Sequence, residues 1–401
     1  MDAADIAWLR TPDGRAATEL AITLLTGRDE LRALRALTRD VTSEQARAAV
    51  ALVRGREVAA TKLPDGAELF CDRQAAEQTS DHRVARHLAR RFTNSRYVAD
   101  LGCGMGGDAL AIAEFARVLA VDRDPVRLAM TAANASVRAL AARVTVESAD
   151  LLTWDLPADI DAVWCDPARR DEGERRLRPE SWSPPLSRAI ALGRAVPGAG
   201  IKLAPGIELD ALPVDAEVEF VSFDRGLRAA VAWLGTLARG RRTATVLDAN
   251  GNAIVLSGEP DRYTTPLGTP GAYLYDLDPS VGRAALLDTL APTLVAWKLD
   301  EDIAYLSADE AHDTPFARRL RVLATCAFAE RRILELLHDH EASRVDVVRR
   351  GSPVDTNQLE RRLNRALASA TSSRALVVVL TRVRGEHTAL VCERDAREAS
   401  S

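Results

Sequence analysis

Lysine is nearly missing from this chain: of 53 basic residues only Lys62, Lys202 and Lys298 are lysines, and arginine supplies the rest. A bias toward arginine and alanine has the look of a high-GC genome, so arginine clusters carry less meaning than usual. A lysine kept against that bias marks a place where a compact ammonium matters. Cysteine is sparse too. Cys71, Cys103, Cys165, Cys326 and Cys392 stand alone, with no C-x-x-C and no histidine at ligand spacing. That argues against a zinc site and a disulfide framework, and it fits a reducing cytoplasm. No metal is expected. No apolar run approaches the ~20 residues that span a bilayer, and the opening MDAADIAWLRTPDGR lacks the basic-flanked apolar core of a signal peptide. The formal net charge of −5 gives no global electrostatic case for nucleic acid. No Ser-His-Asp or Cys-His arrangement stands out among the six histidines.

What is present suits a folded chain of two or three domains: 401 residues, 47% of them apolar and 28% charged. Residues 1–80 read as a helical segment. RAATELAITLL and ELRALRAL space apolar residues three and four apart, and Thr42-Ser-Glu-Gln45 is a capping-box start. From 81 to 240 short apolar runs (YVADL, VLAVD, VTVES, AVWCD, GIKLA, EVEFVSF, AAVAWLG) alternate with helical stretches, the pattern of an α/β domain with a largely parallel sheet. Ligands in such sheets bind beyond the carboxyl ends of the strands. Residues 241–325 read as a β-rich connection, with Asn250-Gly251 as a hairpin turn and Asp278-Pro279-Ser280 leading a strand into a helix. Residues 326–396 give a helix, a strand, a helix and two strands.

Residues 98–108, VADLGCGMGGD, hold the chemistry. Gly102, Gly104 and Gly107 meet the G-x-G-x-x-G spacing of a loop that opens a helix, and Gly106 adds a fourth glycine. Such a loop lets backbone approach a ligand and offers free N–H groups to an anion. Asp100, just before the first glycine, would repel a pyrophosphate. It suits a ligand that brings an ammonium beside its carboxylate, and this disfavours a nicotinamide dehydrogenase. Asp122 ends the second strand, where it can accept from both ribose hydroxyls; Asp124 reads as a helix cap. Asp150 is either an acceptor for an adenine amino group or a solvated loop acid. Cys103 fills a tight turn, with a redox role as the alternative.

In this order and spacing, D-L-G-C-G-M-G-G-D, V-D-R-D-P, A-D-L-L and C-D-P-A-R-R resemble class I S-adenosylmethionine-dependent methyltransferases over roughly 80–235. AAEQTSD, DPARR and IKLAPG are similar to bacterial members that end in a THUMP-like domain, an RNA-binding module of tRNA-modifying enzymes. The resemblance implies an α/β fold: a Rossmann-like domain with a mostly parallel seven-stranded sheet, an N-terminal helical segment and a C-terminal α+β THUMP-like domain. It implies S-adenosyl-L-methionine held by Asp100, Gly102, Cys103, Gly104, Gly106, Gly107, Asp122 and Asp150, with Gln78 and Thr79 lying over it. Asp166 and Pro167 would position the substrate. In amine methyltransferases the corresponding stretch continues with a second proline and an aromatic; here Ala168 and Arg169 stand instead. A guanidinium stacks on a base or holds a phosphate, so Arg169 joins Asp166 and Pro167 as a catalytic candidate. Arg170 and Lys202 are candidate substrate contacts. The plainer alternatives are a charged loop for the arginines, a solvated strand end for Lys202, and a capped helix start for Gln78 and Thr79. Trp182 supplies the missing aromatic or packs. The expected activity is methyl transfer to a base of tRNA or rRNA. Methylation of a protein or small molecule, and a catalytically inactive cofactor-binding RNA module, remain as alternatives.

Overall fold

The computed structural model describes residues 1–395 other than 27, 28, 172, 173, 176, 177, 263 and 369–371; of 170, 171, 174 and 175 it describes the backbone alone. The chain divides into two compact units. The first comprises Met1–Asp224, Arg228–Arg239 and Leu247–Ala253, and the second comprises Arg225–Leu227, Gly240–Val246 and the chain from Ile254 onward.

The first unit opens with four helices, α1 (Ala3–Leu9), α2 (Pro12–Leu25), α3 (Glu30–Leu37) and α4 (Ser43–Ala59). Local chemistry starts each one. At α4 the Thr42 hydroxyl accepts from the Gln45 N–H at 3.2 Å while the Gln45 side chain accepts from the Thr42 N–H at 3.0 Å, the capping box legible in the sequence. The helices bury Ile6, Leu9, Leu25, Leu37 and Leu52 in one apolar cluster that also takes in Met105 and Met130. They are therefore built onto the domain that follows them. Two short helices, α5 (Arg73–Gln78) and α6 (His82–Ala89), lead into the sheet.

All seven apolar runs are strands: β1 (Tyr97–Leu101), β2 (Arg117–Asp122), β3 (Val144–Ser148), β4 (Ala162–Cys165), β5 (Gly198–Leu203), β6 (Glu217–Phe223) and β7 (Gly226–Gly235). Their order is β6-β7-β5-β4-β1-β2-β3. β1 runs parallel to β2 and β4, β3 to β2 and β5 to β4, whereas β7 is antiparallel to β5. The helices α7 (Gly107–Ile112), α8 (Pro125–Val137) and α9 (Leu186–Arg194) follow β1, β2 and β4. Phe92, Trp164 and Trp233 form an aromatic nucleus with ring centroids 5.8–6.2 Å apart. Gly200 makes room for it, since a Cβ there would lie 2.6 Å from Trp233 and 2.7 Å from Trp164.

The second unit contains the strands β8 (Arg242–Leu247), β9 (Ala253–Gly258), β10 (Tyr273–Leu277), β11 (Trp297–Lys298), β12 (Tyr305–Ala308), β13 (Ala317–Ala327), β14 (Ala342–Arg349), β15 (Arg374–Val383) and β16 (Glu386–Arg394). Seven of these form a mixed sheet in the order β11-β12-β10-β13-β16-β15-β14. The pair β14–β15 is parallel, while β15–β16 and β13–β16 are antiparallel. Helices α10 (Pro279–Ala284), α11 (Leu287–Leu290), α12 (Glu330–Asp339) and α13 (Thr356–Ala366) complete the unit. Ile333 and Leu337 of α12 and Leu359 and Leu363 of α13 share a core with Val345, Val378 and Val391 of the sheet. β13 is a difference from the sequence reading: ARRLRVLATCA buries only Ala317 and Leu320, so no clean alternation announces it. No helix among the described residues is long and apolar enough to cross a membrane.

Candidate active site

The carboxyl ends of β1, β2 and β4 open onto a cavity of about 820 Å³. Its floor is the glycine loop. Gly102, Gly104 and Gly106 take φ of +86°, +56° and +89°, the left-handed region that other residues enter at a cost. A Cβ on Gly104 would meet nothing within 4 Å, so this backbone faces open space, and one on Gly107 would fall 2.2 Å from the Thr79 hydroxyl. Gly106 turns the other way, toward Thr131. The Cys103 thiol is buried, 3.6 Å from the Thr131 hydroxyl. Burial, followed by the charge of Asp100, pushes its pKa well above the usual thiol value, so it fills the turn as an inert thiol.

Asp100 is 1% exposed, and its Oδ2 has no hydrogen-bond partner among the described residues. Burial first, and then Asp108 and Asp166, push its pKa well above the ordinary carboxylate value, against the opposing pull of Lys202. A buried carboxyl oxygen without a donor is costly, and it stands ready for a cation. Asp122 accepts from the Gly104 N–H at 3.1 Å and from the Asp124 N–H at 3.0 Å, so it ties the second strand to the loop and still borders the cavity. Asp124 caps α8 through the Val126 N–H. Asp150 is exposed at the rim and accepts from the Leu152 N–H at 3.0 Å.

The opposite wall comes from the end of β4. Asp166, Pro167 and Arg169 all line the cavity, and the Arg169 Nη1 donates to the Leu203 carbonyl at 3.2 Å. The side chain of Arg170 lies outside the described residues. Trp182 is 2% exposed, a packing position. Gln78, Thr79 and Ser80 form a strap along the cavity, with Gln78 exposed and the Thr79 Oγ1 buried without a partner among the described residues. Two lysines hold this strap. Lys62 Nζ donates to the carbonyls of Ala76, Glu77 and Thr79. Lys202 Nζ donates to Ser80 Oγ at 2.7 Å, and also to Asp166 Oδ2 at 2.7 Å and Asp108 Oδ2 at 3.2 Å. Lys202 is 7% exposed and sits in the wall rather than on the rim. Burial works to lower its pKa, but Asp108 and Asp166 outweigh that and hold it above the ordinary lysine value.

One cavity thus gathers Asp100, Gly102, Cys103, Gly104, Gly107, Asp122, Asp150, Gln78, Thr79, Asp166, Pro167 and Arg169. Gly106 and Lys202 stand behind its surface. The residues that sequence reasoning passes over are Asp108, Ser80 and Lys62. Of these only Lys62 carries a local hint, its rarity. Among the described residues no group of three or more His, Cys, Asp or Glu could hold a metal ion. Chemically, the site offers buried acids with two oxygens unsatisfied among the described residues, Asp100 Oδ2 and Asp108 Oδ1, a glycine floor, and the Asp166 carboxylate at the far wall. It suits a cationic ligand bearing an ammonium, with a second reactant arriving at Asp166.

Known proteins resemble this chain in sequence and in fold. Residues 98–172 match a methyltransferase-domain family, and residues 317–394 match a THUMP domain-like family. The chain is 36% identical over 324 residues to a protein of Mycobacterium tuberculosis H37Rv described as an uncharacterized S-adenosylmethionine-dependent methyltransferase, covering 79% of this chain and 85% of that one. The counterpart in strain CDC 1551 matches equally, at 36% identity over the same share of each chain. A crystal structure of a candidate methyltransferase from Porphyromonas gingivalis W83 shares the fold, with a TM-score of 0.74 and 18% identity over 94% of this chain and 97% of that one.

Proposed function

Because the chain belongs to the S-adenosylmethionine-dependent methyltransferases that carry a C-terminal THUMP-like domain, we propose that it methylates a base in structured RNA, tRNA or rRNA. The residues fit the methyl donor. Asp100 Oδ2 lacks a partner among the described residues and is the acceptor for the donor's ammonium. Asp122 takes the ribose hydroxyls with the lone pairs that Gly104 and Asp124 leave free, Asp150 takes the adenine amino group, and Gln78 and Thr79 close over it. When bound, S-adenosylmethionine supplies a methyl group already activated on a sulfonium. The protein's task is alignment and late acceptance of a proton. Asp166 Oδ1 has no partner among the described residues, borders the cavity, and accepts the hydrogen that the nucleophile gives up. Pro167 stiffens the turn beneath the substrate, and the Arg169 guanidinium stacks on the base or holds its phosphate.

The observation that carries this reading is the shared cavity of Asp100 and Asp166, acceptors for the two reactants. The RNA part is supported by the THUMP-like match at 317–394. The five free cysteines support a cytoplasmic setting. Calorimetry with S-adenosylmethionine tests the first half, with saturable heat expected and none overturning it. Nucleoside mass spectrometry of tRNA and rRNA from deletion and parent strains tests the second, and loss of one methylated nucleoside is expected. A second reading, a protein or small-molecule substrate, has one observation in its favour. Many arginines of the second unit are already neutralised: Arg319 by Asp313 and Asp395, Arg321 and Arg374 by Glu393, Arg362 by Glu330. Full-length protein that fails to bind bulk RNA at low salt favours that reading. Cofactor binding and RNA binding without transfer to RNA from the deletion strain support an inactive module.

A further inference from the structure

We propose that Lys202 is a positioning residue: it sets the direction of the Asp166 carboxylate and ties that carboxylate to the strap over the cavity, and it does not touch the substrate. An ammonium has three protons and no acceptor. Here all three are spent, on Ser80 Oγ, Asp166 Oδ2 and Asp108 Oδ2. Nothing is left for a substrate, and at 7% exposure nothing could reach it.

The bonds form a closed ring. Asp108, on the first turn of α7, accepts at the same Oδ2 from the Trp164 Nε1 at 3.2 Å. Trp164 belongs to β4, the strand that ends just before Asp166. The Asp166 side chain is therefore held from two directions, by its own strand and by an ammonium anchored to that strand through Asp108 and Trp164. With Oδ2 occupied, Oδ1 is the oxygen presented to the cavity. The Ser80 arm does a second thing with the same atom, fixing the strap whose Thr79 rests against the start of α7. Lys62 secures that strap from its carbonyl side. The charged groups that meet around Lys202 are Asp108 from α7, Asp166 from the end of β4, Asp100 from β1 and Lys62 from the helical segment. Arginine could not replace this lysine. Its planar fork spreads its donors in one plane and does not converge them on three acceptors as one ammonium does. In a chain that uses arginine almost everywhere else, that requirement accounts for the lysine.

This inference rests on the methyltransferase reading for its kinetic arm only; a spectroscopic arm stands apart from it. With three lysines in the chain, the ¹⁵N-lysine side-chain spectrum is simple, and Lys202→Met identifies the Lys202 signal. The expected result at neutral pH is a slowly exchanging Lys202 ammonium whose signal shifts in Asp166→Asn and again in Ser80→Ala. A fast-exchanging signal, or one indifferent to both substitutions, overturns the proposal. In the kinetic arm, transfer of radiolabelled methyl to total RNA from the deletion strain is followed for Lys202→Met. Its kcat is expected to fall on the order of 10²-fold, the cost of a misplaced reacting group, while KM for RNA stays within about threefold and calorimetry still finds S-adenosylmethionine binding. A raised KM with kcat retained would make Lys202 a substrate contact and refute the idea. If the wild-type protein transfers nothing to RNA, the RNA reading fails, and the lysine spectrum still decides the role of Lys202.

Discussion

Replacing Asp100 with asparagine should strengthen the free protein and weaken its hold on S-adenosylmethionine. Asp100 is 1% exposed, and its Oδ2 finds no donor. Leaving a buried polar group unsatisfied costs about 1–3 kcal/mol, and more when it is charged. Burial, reinforced by Asp108 and Asp166, raises its pKa well above the ordinary carboxylate value, which is about 3.9 in an unfolded chain. A carboxyl with a raised folded pKa contributes stability that is complete below the unfolded value and is lost as pH rises through the folded one. Wild-type protein without ligand should therefore lose stability with rising pH on account of this group, and Asp100→Asn should remove that slope. The gain for the variant above the folded pKa is about 1–3 kcal/mol, or roughly 2–4 °C in Tm for each kcal/mol in a unit of this size.

The ligand side has the opposite sign. A charge-assisted bond from an ammonium to Asp100 is worth about 1.5–3 kcal/mol, so the variant should bind S-adenosylmethionine roughly 10- to 150-fold more weakly. Because the ammonium needs the ionised carboxylate, wild-type affinity should rise with pH and binding should release a proton, visible as a buffer-dependent heat. Calorimetry in two buffers across a pH series, with thermal denaturation of both proteins, reads all of this. An Asp100→Asn protein that is less stable than wild type yet binds the ligand with unchanged, pH-independent affinity would refute the reasoning.

Three further outcomes follow from buried contacts. Gly200→Ala forces a methyl against Trp233 and Trp164 and should cost about 1–3 kcal/mol by overpacking, read as a lowered urea midpoint. Arg91 is paired to Glu217 and Glu219, both 1% exposed; Arg91→Met removes the guanidinium that these two buried acids share and should cost about 3–5 kcal/mol, while Arg91→Lys should recover part of it. In the second unit, burial works to raise the pKa of Asp288, but the Thr265 hydroxyl and the N–H groups of Thr264, Thr265 and Arg262 outweigh it and hold the carboxyl below its ordinary range. A depressed folded pKa gives stability present above about pH 3.9 and lost as pH falls below it, so acid titration of the unfolding midpoint should show a drop there that Asp288→Asn makes smaller.

The seven strands of the first unit are legible because each is a short apolar run between helix-period stretches, and the glycine loop is legible because its spacing is local. Two kinds of feature are not. β13 shows no clean alternation, since only Ala317 and Leu320 of ARRLRVLATCA are buried. EVEFVSF is legible as a strand, but the burial of its acids is not: its first six positions are buried. The reason is remote: the Arg91 guanidinium, 126 residues earlier, donates to Glu217, and the His87 ring, 132 residues earlier, hydrogen-bonds Glu219, which lets both acids go inside. Spacing within a strand cannot announce a partner that far away.

Lys202 shows where such a remote arrangement does leave a trace. As the next-to-last residue of β5 it has the address of a rim residue, and a rim residue would meet substrate. Strand parity says otherwise. Side chains two apart share a face of the sheet, so Lys202 lies on the face of Gly198 and Gly200. Gly200 is small because Trp164 and Trp233 press on that face. The side of the sheet that carries the indoles also receives Asp108 of α7, whose carboxylate takes the Trp164 N–H. A lysine projecting there enters a packed layer between strand and helix, where an unpaired ammonium could not survive, so it must find acids. Asp108 and Asp166 are those acids. The pattern G-x-G-x-K, in a chain that otherwise writes its cations as arginine, therefore points to a buried ammonium on the glycine face, and from there to a carboxylate that needs holding.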